Sequence, residues 1–158
     1  MALKKVLVLG ANGEIEQLQA GDTIEVTTAS NQVFTAVNAE GWDLAIGQAV
    51  YITAADTVGA ALADDVTTSG VVGLVADASI ASATDGSILT DGTLVSTDWT
   101  AVVGATTLTP GSVYFLSDTA AGELTTTVPT APGSCVARVG TAINTTTLEV
   151  TISRPIKL

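Results

Sequence analysis

The sequence predicts an all-β protein, a sandwich or barrel-like body preceded by an N-terminal β-hairpin arm. Three observations carry that prediction. The apolar mass is Ala, Val, Ile and Leu, with much Thr beside it, and branched Cβ atoms suit a pleated surface. The charged residues that coat a soluble helix are scarce, at 13% of the chain. Short apolar runs recur with turn signals between them, which is the spacing of a sandwich or barrel and not of helices over a parallel sheet.

The elements follow in order. MALKKVLVLGANGEIEQ places a strand over Lys4–Leu9, a turn at Ala11-Asn12-Gly13 and a return strand over Glu14–Leu18. Asn-Gly is the strongest short hairpin signal because both residues accept positive φ. Gly21-Asp22 turns the chain into a strand at Ile24–Thr28, and Val33–Val37 continues the pattern. Further strands are expected at Ala49–Thr53, Val71–Val75, Ser87–Thr90, Leu94–Val95, Val113–Leu116, Cys135–Thr141 and Leu148–Ile152. Gly41, Asp85-Gly86, Asp91-Gly92, Pro110-Gly111 and Pro132-Gly133 are read as the turns between them. One short helix is expected at Thr97–Val102, capped by Ser96 or Thr97. This divides the chain into an arm, residues 1–30, and a β body, residues 31–158.

The body repeats itself. Val50-Tyr51-Ile52 matches Val113-Tyr114-Phe115 63 positions later, and Gly59, Thr67, Gly70 and Ile80 match Gly122, Thr130, Gly133 and Ile143 at the same offset. One residue out of phase, Leu44-x-x-Gly47 matches Leu108-x-x-Gly111. The body therefore holds two similar units, about 44–90 and 108–153, either as two similar hairpins in one sheet system or as a duplication. Tyr51 and Tyr114 are expected to occupy equivalent positions.

The opening stretch also raises the question of dinucleotide binding. KKVLVLGANGEI resembles the first strand and glycine turn of that fingerprint, with Gly10 and Gly13 in place. The third glycine position is Glu16, with Glu14 two residues before it. Both carboxylates would oppose a pyrophosphate at a helix N-terminus. EIEQLQA is too short for a crossover helix, so the hairpin is preferred and no cofactor is expected.

Charge and composition exclude other functions. The net charge is −11, with Lys4, Lys5, Arg138, Arg154 and Lys157 as the whole cation set, so the chain repels a phosphate backbone and no nucleic-acid partner is expected. There is no histidine, which removes the usual general base and metal ligand. Cys135 is the single cysteine, so neither an intrachain disulfide nor a thiolate cluster is available. Asp43, Asp56, Asp64, Asp65, Asp77, Asp85, Asp91, Asp98 and Asp118 mostly neighbour Gly, Ser, Thr or Ala, where Asp usually bonds its own backbone. Asp64-Asp65 fits no calcium loop. VLVLGA is too short for a secretion signal, and no apolar run approaches the roughly 20 residues of a membrane span, so no membrane partner is expected. The chain is read as a non-enzyme without catalytic, cofactor or metal residues.

Two stretches carry a family resemblance. LKKVLVLGANGEIEQLQAGDTI resembles the start of many small virion proteins of tailed bacteriophages. LTPGSVYFLSDTAAGELTTTVPTAPGSCVARVGTAI and its echo GQAVYITAADTVGAALADDVTTSGVVGLVADASI are similar to the Thr/Ala/Gly-rich β modules of phage capsid decoration proteins and head or tail fibres. The resemblance implies a structural virion protein, made in the host cytoplasm and placed on the capsid surface. It implies a decoration or cement protein that binds the major capsid protein as a homotrimer. A fibre module that binds a host receptor is the alternative, although 158 residues leave no room for a shaft. The arm is then the expected capsid contact, through Lys4, Lys5, Val6, Leu7, Val8, Leu9, Ile15 and Leu18. Its apolar strand needs a partner, either its own body or another subunit.

Overall fold

A computed structural model describes residues 31–158 in full, and nearer the N-terminus the backbone of two short strands, β1 (Leu7–Leu9) and β2 (Ile15–Gln17). β1 and β2 pair antiparallel, with Leu7 opposite Gln17, Val8 opposite Glu16 and Leu9 opposite Ile15. The expected strand at Ile24–Thr28 lies outside the described residues.

The body is β throughout, apart from one helical turn. Its strands are β3 (Gln32–Asn38), β4 (Leu44–Ala45), β5 (Ala49–Ala54), β6 (Thr57–Ala60), β7 (Gly73–Val75), β8 (Ser79–Ile80) and β9 (Asp85–Val95). The helical turn α1 (Thr100–Val103) follows, then β10 (Val113–Leu116), β11 (Leu124–Thr125), β12 (Cys135–Val136), β13 (Arg138–Ala142), β14 (Thr147–Thr151) and β15 (Ile156–Lys157). Five strands close a barrel in the order β9-β3-β6-β5-β7, with β7 returning to β9. Every barrel pairing is antiparallel except β3 with β6. From β9 the sheet runs on through β14, β13 and β10 to β11.

The alternation of a strand divides the apolar residues between two cores. Neighbours along one strand point to opposite faces. Val50, Val75 and Ile88 join Ala36, Val58 and Ala60 inside the barrel, where the paired strands β4 and β8 add Leu44 and Ile80. Ala49, Leu74 and Leu89, one residue away on the same strands, face outward. They pack there against Trp99, Val102, Leu108, Tyr114, Leu116, Val139, Leu148 and Val150. Fully burying a side chain of this size stabilises by about 1.5–3 kcal/mol, so the layer between barrel and second sheet is a true core.

Two sequence turns prove to lie inside one strand. Asp85-Gly86 and Asp91-Gly92 were expected to separate strands, yet β9 runs unbroken from Asp85 to Val95. Gly86 is needed because a side chain there would collide with the Ile80 side chain that fills the barrel. Gly92 is needed because its φ of 118° bends the strand where Asn31 presses on it. The bend lets one strand serve both halves: its first part pairs with β3 and its last part, Asp91–Val95, with β14. The expected strand Cys135–Thr141 is conversely split, because Ala137 gives its carbonyl to the Leu116 N–H (2.9 Å).

The helix begins later than expected. Ser96 still belongs to the β ladder, its N–H bonding Thr146 O (2.9 Å), and its hydroxyl donates to Asp98 O (2.7 Å). The cap position falls to Trp99, which makes no side-chain cap bond, and the turn ends at Gly104 with φ 70°.

The two units share strand order and direction. β6-β5-β7-β9 in the first corresponds to β11-β10-β13-β14 in the second. Each is entered through its Leu-x-x-Gly turn, with Gly47 at φ 85° and Gly111 at φ 79°. Each glycine N–H then reaches the third strand, Gly47 to Val75 O (2.9 Å) and Gly111 to Ala142 O (2.8 Å). Counted from these turns, Val50 corresponds to Tyr114 and Tyr51 to Phe115, so the two Tyr residues are not equivalent. Tyr114 is buried, with its hydroxyl accepting the Thr109 N–H (3.0 Å), whereas Tyr51 is half-buried. A slip of one residue sends a side chain to the opposite face. Gly59 and Gly122 likewise part company, since Gly59 lies within β6 and Gly122 in a turn at φ 77°.

Candidate functional site

The candidate contacts named from the sequence, Lys4, Lys5, Val6, Leu7, Val8, Leu9, Ile15 and Leu18, have side chains outside the described residues. The backbone of Leu7–Leu9 and Ile15–Gln17 is described, and it answers the dinucleotide question. A return strand pairs with β1 where the fingerprint requires a crossover helix.

The body starts at a cap. Asn31 donates from Nδ2 to Thr93 O (3.0 Å) and accepts the Thr93 N–H at Oδ1 (3.0 Å). One side chain thus takes the place of a neighbouring strand, and main-chain pairing of β3 to β9 begins only at Gln32, opposite Asp91.

Asp65 and Asp98 behave as turn formers, whereas Asp77 ties its loop to β9 ten residues on. Asp65 accepts the Thr67 N–H (2.8 Å) and hydroxyl (2.6 Å), and Asp77 accepts the Ser87 N–H (2.7 Å). Asp98 accepts the Thr100 N–H (2.9 Å). The Thr67 hydroxyl and N–H hold the Asp65 carboxyl below the usual carboxylate range, and Thr100 does the same for Asp98. A depressed folded pKa adds stability above the unfolded pKa and loses it as pH falls through the folded value. Both groups are fully exposed, so the effect is local. In an NMR titration Asp65 and Asp98 should protonate below the usual carboxylate range, and Thr67→Val, which removes the hydroxyl and keeps the N–H, should raise Asp65 toward that range. An unmoved Asp65 in that variant would refute the hydrogen-bond cause.

Among the described residues, no group of three metal-ligating side chains comes together. Cys135 is a free, fully buried thiol in β12, so it is a core residue.

Among the described residues no strand pairs with the outer side of β11, although Leu124 itself is only 4% exposed. β11 is the terminal strand of the nine-stranded sheet. Ser117 donates its N–H to Glu123 O (2.9 Å), and Phe115 stands opposite Thr125. Hydrogen-bonded pairs alternate along an antiparallel ladder, so the Leu124 main chain turns away from β10, toward the edge. Two shallow grooves flank this edge. One, of about 460 Å³, is lined by Val103, Ser117, Asp118, Glu123, Leu124 and Val128 among others. The other, of about 210 Å³, is lined by Val103, Thr107, Thr109, Tyr114, Leu124 and Thr126 among others. Sequence reading missed this place because the Leu124-Thr125 strand has only two residues and no alternating pattern to reveal it.

A third groove, of about 500 Å³, is lined by Ala45, Ile46, Ala78, Val95, Ser96, Asp98 and Ala101 among others. Val95 is 59% exposed there, one of several exposed apolar residues that include Val33, Ile52, Val128, Ile143 and Ile156. No protein-family model matches the chain, and no curated protein matches it in sequence.

Proposed function

We propose that this chain is a structural protein of a tailed-bacteriophage virion that decorates the capsid by binding the major capsid protein on the outer shell. The observation that favours this reading is the set of exposed apolar side chains, Val33, Ile52, Val95, Val128, Ile143 and Ile156 among them, beside a terminal strand, β11, that pairs on one side only among the described residues. A shallow groove along a strand edge suits an extended polypeptide and encloses no small molecule. The phage resemblance of the arm and body sequences points the same way, and non-enzymatic binding follows from it.

The mechanism in this reading is area and strand pairing. The arm lies across the shell through Lys4, Lys5 and the VLVL strand, with Ile15 and Leu18 beside them, while the bodies associate as a homotrimer. Binding the assembled shell in preference to its separated subunits stabilises the shell by mass action.

Removal of residues 1–20 tests it. The truncated chain should melt like the full chain and fail to coat capsid shells, and light scattering should give the full chain a mass of three protomers. Full coating by the truncated chain would refute the arm contact. Saturable binding of the full chain to host cells, without shell binding, would establish the receptor-binding fibre module instead.

A further inference from the structure

The three cations of residues 31–158, Arg138, Arg154 and Lys157, fall in one corner of the body, against twelve carboxylates in the same residues. The Ser153 N–H bonds Arg138 O (2.9 Å) and Ser153 Oγ accepts the Arg138 N–H (2.9 Å), which brings Arg154 beside Arg138. Lys157 follows in β15, opposite Cys135 of β12. The Cys135 N–H fixes β12 to Ala63 O (2.7 Å), so β15 is the outer strand of this two-stranded ribbon. Ile156 and Leu158 lie on one face of it, 66% and 50% exposed. Among the described residues no ion pair engages the three cations. The Arg138 guanidinium bonds the Thr141 hydroxyl (2.8 Å), and Lys157 acts on Asp65 through space. The corner is apolar and positive, on a body whose other charged residues are all acidic.

The third groove, of about 500 Å³, lies at the other end of the same sheet. Its lining is mainly apolar, through Ala45, Ile46, Ala78, Val95 and Ala101, and Asp98 is the one charged side chain in it. Val95 stands opposite Thr147, the first residue of β14, whereas Arg138 bonds Ser153, six residues further along the same segment. At the rise of a strand, six residues span roughly 20 Å. A chain therefore cannot place its own corner in its own groove.

We propose that the corner of one protomer docks in this groove on a second copy of the chain, with Ile156 and Leu158 against Ile46 and Val95 and with Arg154 and Lys157 toward Asp98. The inference takes the homotrimer from the reading above and supplies its contact surfaces. Charge decides both the occupant and the orientation. A corner meeting a corner sets cation against cation, and a groove meeting a groove sets Asp98 against its own copy. A corner meeting a groove pairs opposite charges and covers the exposed apolar side chains of both. Such a contact is head-to-tail, so it repeats around an axis and closes into a ring of three when each step turns by a third of a circle. Every protomer in the ring then makes two contacts, which lets each one be small.

The test uses the full chain and light scattering across a concentration series. Ile156→Asp spoils the corner and Val95→Lys spoils the groove. Both positions are exposed, so circular dichroism should show the fold unchanged. Each variant alone should raise the concentration at which the trimer separates about tenfold or more. Mixed in equal amounts, the two variants should form a two-protomer species, because each copy brings the surface that the other lacks. A mass of three protomers for both variants, at the concentrations where the unaltered chain has it, overturns the proposal. So does a mixture that stays at one protomer, or an unaltered chain with the mass of one protomer. Coating of capsid shells by the unaltered chain decides the shell-binding reading and does not enter these masses, so either can fail alone.

Discussion

Trp99→Ala should be the most damaging single substitution in the body, costing about 3–5 kcal/mol. Trp99 is fully buried between the barrel and the second sheet. A side chain on Gly47 would come within 2.8 Å of its ring, so barrel and indole are in direct contact at that turn. The Nε1 proton is shared by Ser96 O (3.1 Å) and Thr146 O (3.3 Å), which ties the end of β9 to the β13–β14 turn. Truncation removes the ring that fills the layer between barrel and second sheet and takes the indole donor from Ser96 O, while Thr146 O keeps the Ser96 N–H (2.9 Å). At about 2–4 °C per kcal/mol for a chain of this size, the melting temperature should fall by roughly 6–20 °C. Trp99→Phe separates the two effects. It retains most of the packing and loses the donor, so it should cost about 1–2 kcal/mol more than the lost ring volume alone. A loss below about 1 kcal/mol for Trp99→Ala would mean that the second sheet is held to the barrel by other contacts.

Asn38→Ala should cost roughly 2–4 kcal/mol, although it deletes only a small polar side chain. Asn38 is 1% exposed at the end of β3. Its Nδ2 donates to Trp42 O (2.8 Å) and Ile80 O (3.0 Å), and its Oδ1 accepts the Glu40 N–H (2.8 Å). It thereby joins three segments: the loop after β3, strand β8 of the β4–β8 pair, and β3 itself. The alanine variant leaves the buried Ile80 carbonyl and its neighbours unanswered, in surroundings where such groups are costly. Chemical denaturation should show a lower midpoint with an unchanged slope. A midpoint equal to the unaltered chain's would mean that water replaces all three bonds at no cost.

These two residues show where sequence reading ended. The class was legible, because Val, Ile and Thr in short runs between turn signals have few uses besides a sheet. Most strand centres were legible too: Val33–Val37, Ala49–Thr53, Val71–Val75, Val113–Leu116 and Leu148–Ile152 each overlap a strand of the structure. The hairpin pairing of Leu7–Leu9 with Ile15–Gln17 was readable from Asn-Gly alone. Elements of two residues, β4, β8, β11 and β15, were not, because two residues carry no period. Gly86 and Gly92 were misread as turns for a related reason. A glycine that makes room for Ile80 or Asn31 looks, in sequence, like one that turns the chain.

Composition and local patterning by themselves determined an acidic, histidine-free, all-β chain with an N-terminal hairpin and two similar units. Those properties depend on residue types and near neighbours, which a sequence states directly. Tertiary structure alone decided that β3 closes the first unit into a barrel and that, among the described residues, no strand does the same at β11 in the second. It also decided that Tyr114 and not Tyr51 goes inside, and that Asn38 and Trp99 hold the halves together. Each of these depends on pairing between strands far apart in the chain, and a one-residue choice of register there reverses which side chains are buried.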